Sequence, residues 1–416
     1  MHLSWEYPPV VYGGLGRHVH ALAEAQVAAG HDVVVVTQHS GDPAEALDER
    51  VHGVRIVRAP YEPMRLTADE LLGWASGFNH ALGRAALQVG HDWHPDVVHG
   101  HDWLVAHAGA TVRAAFAVPL VATVHATEAG RHQGWLPGEL SRGIHGVEWW
   151  FTYEARRVIA CSAHMGWEVT RLFDLPPAKV DVIPNGIDLA AWTPSSRDVA
   201  QARARHAAEG PLVVLPGRLE WEKGFHTVID ALPRLRRRFP GLRLVVAGRG
   251  SQRDDLEALA RRRRVSRAVT FVGWLPRREL RALAAVADVV VVPSLYEPFG
   301  LVALEAAAAG APLVVARTGG LAHLVRDDIT GLTFVAEDVA GLADAVTATL
   351  RDDVAARRRA RTLRAELARD YTWATVAVCT QETYERAIVE ERALVARARP
   401  RRAPLVLDGN LLLGGA

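Results

Sequence analysis

Short runs of branched apolar residues alternate along the chain with stretches of helical period. The first series is 32–37 (DVVVVT), 96–99 (DVVH), 120–125 (LVATVH), 157–161 (RVIAC) and 180–183 (VDVI). A second follows at 211–215 (PLVVL), 243–247 (RLVVA), 269–272 (VTFV), 288–292 (DVVVV), 312–315 (PLVV) and 332–335 (LTFV). Most are continuous rather than alternating, the mark of parallel strands buried on both faces by helices. The segments between them have the length of βαβ crossovers. Eleven such runs are many for one open sheet. The pattern therefore predicts an α/β chain of two doubly wound, Rossmann-like domains facing a cleft. MHLS, at residues 1–4, reads as a very short first strand: either it is stunted or the true start lies upstream.

The seam falls in PNGIDLAAWTPSSRD (184–198), rich in turn formers. We read 1–187 as the first domain, 188–371 as the second, 372–396 as a C-terminal helix crossing back to the first domain, and 397–416 as a disordered tail without strand or helix period. No run of about 20 uncharged apolar residues appears. The two cysteines, Cys161 and Cys379, make neither a disulfide framework nor a zinc motif, and a reduced cytoplasmic compartment is expected.

Charge excludes more than it suggests. The formal net charge is +1, so no global field favours nucleic acid. Of 48 basic residues only Lys179 and Lys223 are lysine, so arginine runs at 234–238, 261–264 and 357–361 partly reflect coding bias. They read as solvated helix faces, with weak contact to an anionic membrane surface as the minor reading.

Four motifs could carry chemistry. In WEYPPVVYGGLGRH (5–18), Gly13, Gly14 and Gly16 make a turn entering a helix over 16–29. Helix N–H groups there suit a phosphate or sugar oxygen, although a plain tight turn explains the glycines equally well. The GGxG spacing and the absence of an acidic residue after the next strand argue against a dinucleotide fingerprint, and so against a dehydrogenase. PGRLEWEKG (216–224) follows a strand and delivers Arg218 and Lys223 to the edge where open α/β sheets bind ligands. The two cations could grip a diphosphate, or Arg218 could simply pair with Glu220 or Glu222. A lysine in so lysine-poor a chain favours the first reading.

SLYEPFGLVALEAAAAG (294–310) is a turn running into a helix that is apolar nearly all round, interrupted by Glu305, with Glu297 before it. Free N–H groups at Phe299, Gly300, Leu301 and Val302 would face the cleft. A dipole-stabilising role explains Glu297 but not Glu305, because a buried carboxylate is costly without a partner. Ionised carboxylates suit pairs of sugar hydroxyls. Finally, VVHGHDWLVAH (97–107) and TVHATEAGRHQGW (123–135) place His99, His101, Asp102, Trp103 and His125 at strand ends. The histidines could imitate a metal site but lack a clear ligand set. His125 could contact a reacting sugar, or be a core histidine bonded to backbone.

Taken in order over residues 4–321, these motifs with IPNGID and TGGL (318–321) resemble the retaining glycosyltransferases of the GT-B fold, family 4, glycogen-synthase-like branch. The wording looks especially like actinobacterial α-1,4-glucan glucosyltransferases of glycogen and methylglucose lipopolysaccharide synthesis. The resemblance implies that Gly14 approaches the donor diphosphate and that Arg218 and Lys223 neutralise it. Glu305 would bind the ribose diol. Glu297, with the N–H groups of Phe299, Gly300 and Leu301, would hold the donor sugar and phosphate. His125 would sit at the sugar, with Asp102 and Trp103 on the acceptor side. It further implies transfer of glucose from UDP- or ADP-glucose to an α-glucan or maltooligosaccharide, with no cofactor and no metal. A mannosyltransferase using GDP-mannose and a catalytically silent glucan-binding protein are the competing readings.

Overall fold

The computed structural model describes residues 1–60, 70–206 and 210–397, Arg397 by its backbone alone. The tail expected over 397–416 thus lies, past that residue, outside the described residues. Fourteen strands form two sheets among the described residues. The first holds β1 (His2–Leu3), β2 (Val34–Gln38), β3 (Asp48–Val51), β4 (Val54–Ala59), β5 (Val98–His101), β6 (Leu120–Val124), β7 (Arg157–Ala160) and β8 (Val180–Val182), in the order β3-β4-β2-β1-β5-β6-β7-β8. The second holds β9 (Leu212–Pro216), β10 (Arg243–Ala247), β11 (Val269–Gly273), β12 (Val289–Val292), β13 (Leu313–Ala316) and β14 (Leu332–Phe334), in the order β11-β10-β9-β12-β13-β14.

All pairings are parallel except β3 with β4, where Val51 faces Val54 across a tight turn. At that turn His52 and Gly53 both take positive φ, the requirement of a two-residue hairpin. The valine runs of β2 and β12 are fully buried because helices cover both faces. β1 is short yet central: His2 and Leu3 pair with Val35 and Val36 on one side and with His99 and Gly100 on the other.

The C-terminal helix Trp373–Arg397 returns to the first domain, as expected. Val376, Ala377 and Ala387 pack with Leu22, Val97, Val121, Ile159 and Ile183. An ion-pair group ties its far end down, with Arg156 on Glu391 (2.7 Å) and Arg157 shared between Asp181 (2.7 Å) and Glu390 (2.9 Å). The chain crosses between the domains twice, and the crossings touch: the Ile187 N–H donates to the Tyr371 carbonyl at 2.7 Å.

The arginine runs are less uniform than their sequence suggests. Arg234 and Arg238 both pair with Asp344, and Arg263 pairs with Asp230. Arg359, expected on a polar face, is buried and meets Asp328 at 3.1 Å.

Candidate active site

The turn Trp221–Lys223 follows β9 and is held against the loop after β12, since Leu295 donates its N–H to the Glu222 carbonyl at 2.7 Å. That contact sets Lys223 against Glu297: Nζ donates to Oε2 at 2.8 Å, and the Ser294 hydroxyl donates to the same oxygen at 3.1 Å. Lys223 is 17% exposed, whereas Arg218 is 53% exposed and pairs with Glu222 at 3.2 Å. Lys223 is therefore fixed before any ligand arrives, and Arg218 is loosely held at the rim.

Glu297 leads into the helix Leu301–Ala308, capped by Gly300 at φ +109°. A Cβ at Gly300 would come within 2.7 Å of Leu321. The side chain of Phe299 is buried beside Tyr371, and Leu301 packs onto Gly14 of the other domain. For Phe299, Gly300 and Leu301 it is thus the backbone that is offered, as the unpaired first N–H groups of a helix. A Cβ on Gly14 would lie 2.3 Å from Leu301 Cδ1, so the domains approach closely here because this residue is a glycine.

Glu305 is buried one turn into that helix and is ion-paired with Arg17 of the helix Gly14–Ala28. Burial raises its pKa, and the Arg17 charge and hydrogen bond oppose the rise. Gly14, Arg17, His18, Leu301, Glu305 and Trp373 lie together on the wall of an interdomain cavity of about 910 Å³. Arg17 was not among the residues singled out from the sequence. Nor was Glu6, whose Oε2 accepts the N–H groups of Tyr12 (2.9 Å) and Gly13 (3.0 Å) and so pins the glycine turn. Gly248 was missed as well: a Cβ there would lie 1.7 Å from the Gly217 carbonyl oxygen, so the loops after β9 and β10 run in backbone contact.

Across the cleft, Asp102 ends β5 at φ 61°, ψ 173°, a region that non-glycine residues occupy at a cost of about 1–3 kcal/mol. Its Oδ1 accepts the His125 N–H at 2.7 Å, and burial pushes its pKa up to about 6. Trp103 follows in the turn Trp103–Val105, partly exposed. His125 ends β6 with its ring partly exposed and pushed down to about 4 by burial, hence neutral. The buried Cys161 thiol lies 4.0 Å from the His125 carbonyl oxygen, and its pKa is raised first by burial and then by the charge of Asp102. The Ser162 hydroxyl donates across the cleft to the Pro298 carbonyl at 2.6 Å. Tyr296 reaches the other way to donate to Glu168 at 3.0 Å. These contacts tie the two domains together beside the cavity.

Metal ligation by the histidines meets a chemical obstacle. His2, His99 and His101 bring ligand nitrogens within 4.8 Å, as do His18, His101 and His125. Yet both ring nitrogens of His99 are hydrogen-bonded, to Tyr384 and Thr123 at 2.6 Å each. His101 likewise has a histidine on either side.

A family model described as Glycosyltransferase Family 4 matches residues 12–191, and one described as Glycosyl transferases group 1 matches residues 196–365. A glycogen synthase of Mycobacterium tuberculosis is 50% identical over 393 residues, covering 92% of this chain and 93% of that protein. The chain belongs to glycosyltransferase family 4. A D-inositol 3-phosphate glycosyltransferase of Xylanimonas cellulosilytica is 31% identical over 90% of this chain and 92% of its own length. Among solved structures, the sucrose-phosphate synthase of Thermosynechococcus elongatus superposes with a TM-score of 0.79 at 26% identity, covering 95% of this chain and 99% of that one. The catalytic domain of starch synthase IV from Arabidopsis thaliana, bound to ADP and acarbose, shares the fold, with a TM-score of 0.74 at 19% identity over 93% and 99% of the two chains. This family 4 enzyme is a glycosyltransferase with the two-domain GT-B architecture. Among the described residues, no helix is long and apolar enough to cross a membrane.

Proposed function

We propose that the enzyme moves glucose, with retention and without a metal, from UDP- or ADP-glucose to the non-reducing end of an α-1,4-glucan. The observation that carries this is the pairing of Lys223 with Glu297 just before the start of the helix Leu301–Ala308, whose Leu301 and Glu305 line the interdomain cavity. A departing diphosphate develops charge that a fixed ammonium and preorganised N–H groups stabilise without an ion. Arg218, exposed at the rim and, among the described residues, paired only with Glu222, turns onto the diphosphate when it binds. Glu297 accepts hydroxyls of the transferred glucose, its other partner being the Lys223 ammonium. Glu305 takes the ribose diol, and Gly14 lets the first domain approach the phosphates. His125 meets the donor sugar, with Asp102 and Trp103 toward the acceptor. No carboxylate of the site is assigned as nucleophile. The leaving phosphate itself takes the acceptor's proton, on the face it leaves. Closure excludes water and so limits donor hydrolysis. The glycogen synthase relative supports glucose as the sugar and a glucan as the acceptor.

The test is to incubate EDTA-treated protein separately with UDP-glucose, ADP-glucose and GDP-mannose, with and without maltooligosaccharides. The reading expects acceptor-dependent diphosphate release from a glucose donor, with products cut by an α-1,4-specific amylase. Release from GDP-mannose alone would move the enzyme to mannosyl transfer. Tight maltooligosaccharide binding without turnover would make it a binding protein. Activity lost to EDTA and restored by a divalent cation would overturn the metal-free chemistry.

A further inference from the structure

A chain of hydrogen-bonded side chains runs from His125 into the core of the first domain. His125 Nε2 lies 3.3 Å from His101 Nδ1, and His101 Nε2 lies 3.0 Å from His2 Nδ1. His2 Nε2 lies 2.7 Å from the side-chain oxygen of Gln26. The Gln26 amide nitrogen donates to the Tyr384 hydroxyl at 3.2 Å, and that hydroxyl lies 2.6 Å from His99 Nδ1. His99 Nε2 ends the second arm 2.6 Å from Thr123 Oγ1. Gln26 is buried in the helix Gly14–Ala28, and Tyr384 comes from the C-terminal helix.

We propose that Gln26 is a positioning residue that fixes the tautomer of His125, keeping its proton on Nε2 and leaving Nδ1 as an acceptor. With the Gln26 oxygen turned to His2 and its nitrogen to Tyr384, the 2.7 Å contact puts the proton on His2 Nε2, since an amide oxygen carries no hydrogen. A neutral imidazole has one N–H, so His2 Nδ1 is then an acceptor and His101 Nε2 must donate to it. His101 Nδ1 becomes an acceptor in turn, and His125 Nε2 donates. On the other arm, Tyr384 takes the Gln26 N–H and gives its own hydrogen to His99 Nδ1, which leaves His99 Nε2–H for Thr123. Every ring is neutral near pH 7: burial holds His2 down to about 3 and His125 to about 4, and His99 and His101 well below the ordinary value. His18, edge-on to His125 at 4.8 Å, keeps its own proton toward Asn185 Oδ1 at 2.7 Å and is neutral too. The chain is not a proton wire, because an amide cannot pass a proton on. It transmits direction only.

Placed at the donor sugar, where the proposed function puts it, His125 then accepts a hydrogen from a sugar hydroxyl and donates none. The inference rests on that placement for its functional meaning but not for the tautomer itself. The first measurement is therefore ¹⁵N NMR of histidine-labelled, ligand-free protein, with His125 assigned by loss of its signals in His125→Asn. The expected pattern is a protonated Nε2 and a bare Nδ1. A protonated Nδ1 would overturn the inference whatever donor the enzyme uses. The second is Gln26→Met, expected to give a mixture of His125 tautomers and to lower kcat about tenfold, the worth of one misdirected hydrogen bond. Nucleoside diphosphate affinity should not change, since buried Gln26 is not among the residues given to the diphosphate or the ribose. His2→Leu breaks the same chain, so the double variant should fall no further than either single one. A Gln26→Met protein with the parent tautomer pattern, or additive losses in the double variant, would overturn the role of Gln26. A correct tautomer in a protein that uses no glucose donor would instead sink the proposed function.

Discussion

Glu305 is a carboxylate on an otherwise apolar helix, and its partner comes from the other domain. An unpaired charge at that depth would be costly, and Arg17 meets the need; in the function proposed above, hydroxyls of the donor ribose would take its place. Glu305→Ala should weaken nucleoside diphosphate binding by about 10- to 100-fold, the range for a hydrogen bond to a charged group. Calorimetric titration with UDP and ADP measures it, and an unchanged Kd would remove the ribose assignment. Glu148 is a second buried carboxylate, in the first domain. It accepts the Glu128 N–H at 2.8 Å, yet burial raises its pKa from 4.5 to about 8. The folded value exceeds the unfolded one, so folding binds a proton and stability falls as pH rises from 4.5 toward 8. Glu148→Gln should therefore melt several degrees above the parent at pH 8, and the gap should close near pH 4.5. A gap independent of pH would mean that Glu148 is not the group titrating.

At the scale of elements, the site is made of loops that touch through glycines. Gly248 is the tightest case, with the Gly217 carbonyl oxygen where its Cβ would be, and backbone cannot swing aside as a side chain can. Gly248→Ala should lower stability by about 1–3 kcal/mol through overpacking, and should weaken donor binding as the loop after β9 shifts. A thermal melt checks the first part. Full stability with full donor affinity would show that the two loops are not mechanically coupled. Which elements were legible follows from the same physics. The buried strands announced themselves because two-sided burial leaves continuous valine runs, as in β2 and β12. The hairpin β3–β4 escaped because β3 (DERV) is a largely exposed edge strand with no apolar run to mark it. Lys223 and Glu305 could be singled out because each is chemically odd for its surroundings, and Glu297 because it stands just before the helix that carries Glu305. Arg17, Glu6 and Gln26 could not: each is ordinary locally and gains its role only from partners brought close by the fold.

For the whole molecule, closure has visible fastenings. Arg17 holds Glu305, Ser162 holds the Pro298 carbonyl, and Tyr296 is buried against Glu168 of the first domain. Arg17 is the fastening that a donor ribose would displace. Arg17→Ala should therefore enlarge the radius of gyration of the ligand-free protein in small-angle X-ray scattering, and added nucleoside diphosphate should reduce the difference. Equal radii without ligand would show that Arg17 does not hold the cleft shut. The two crossings between the domains, bonded to each other at Ile187 and Tyr371, determine what such opening looks like. Two bodies joined at one flexible point can swing and twist in any direction. Joined by two adjacent strands laced together, they behave like a door on a pair of pins. Twist is resisted, and what remains is mainly rotation about one line. Opening then lifts Glu305 and Pro298 from the first domain in one sweep, so binding at any one fastening reports on all of them.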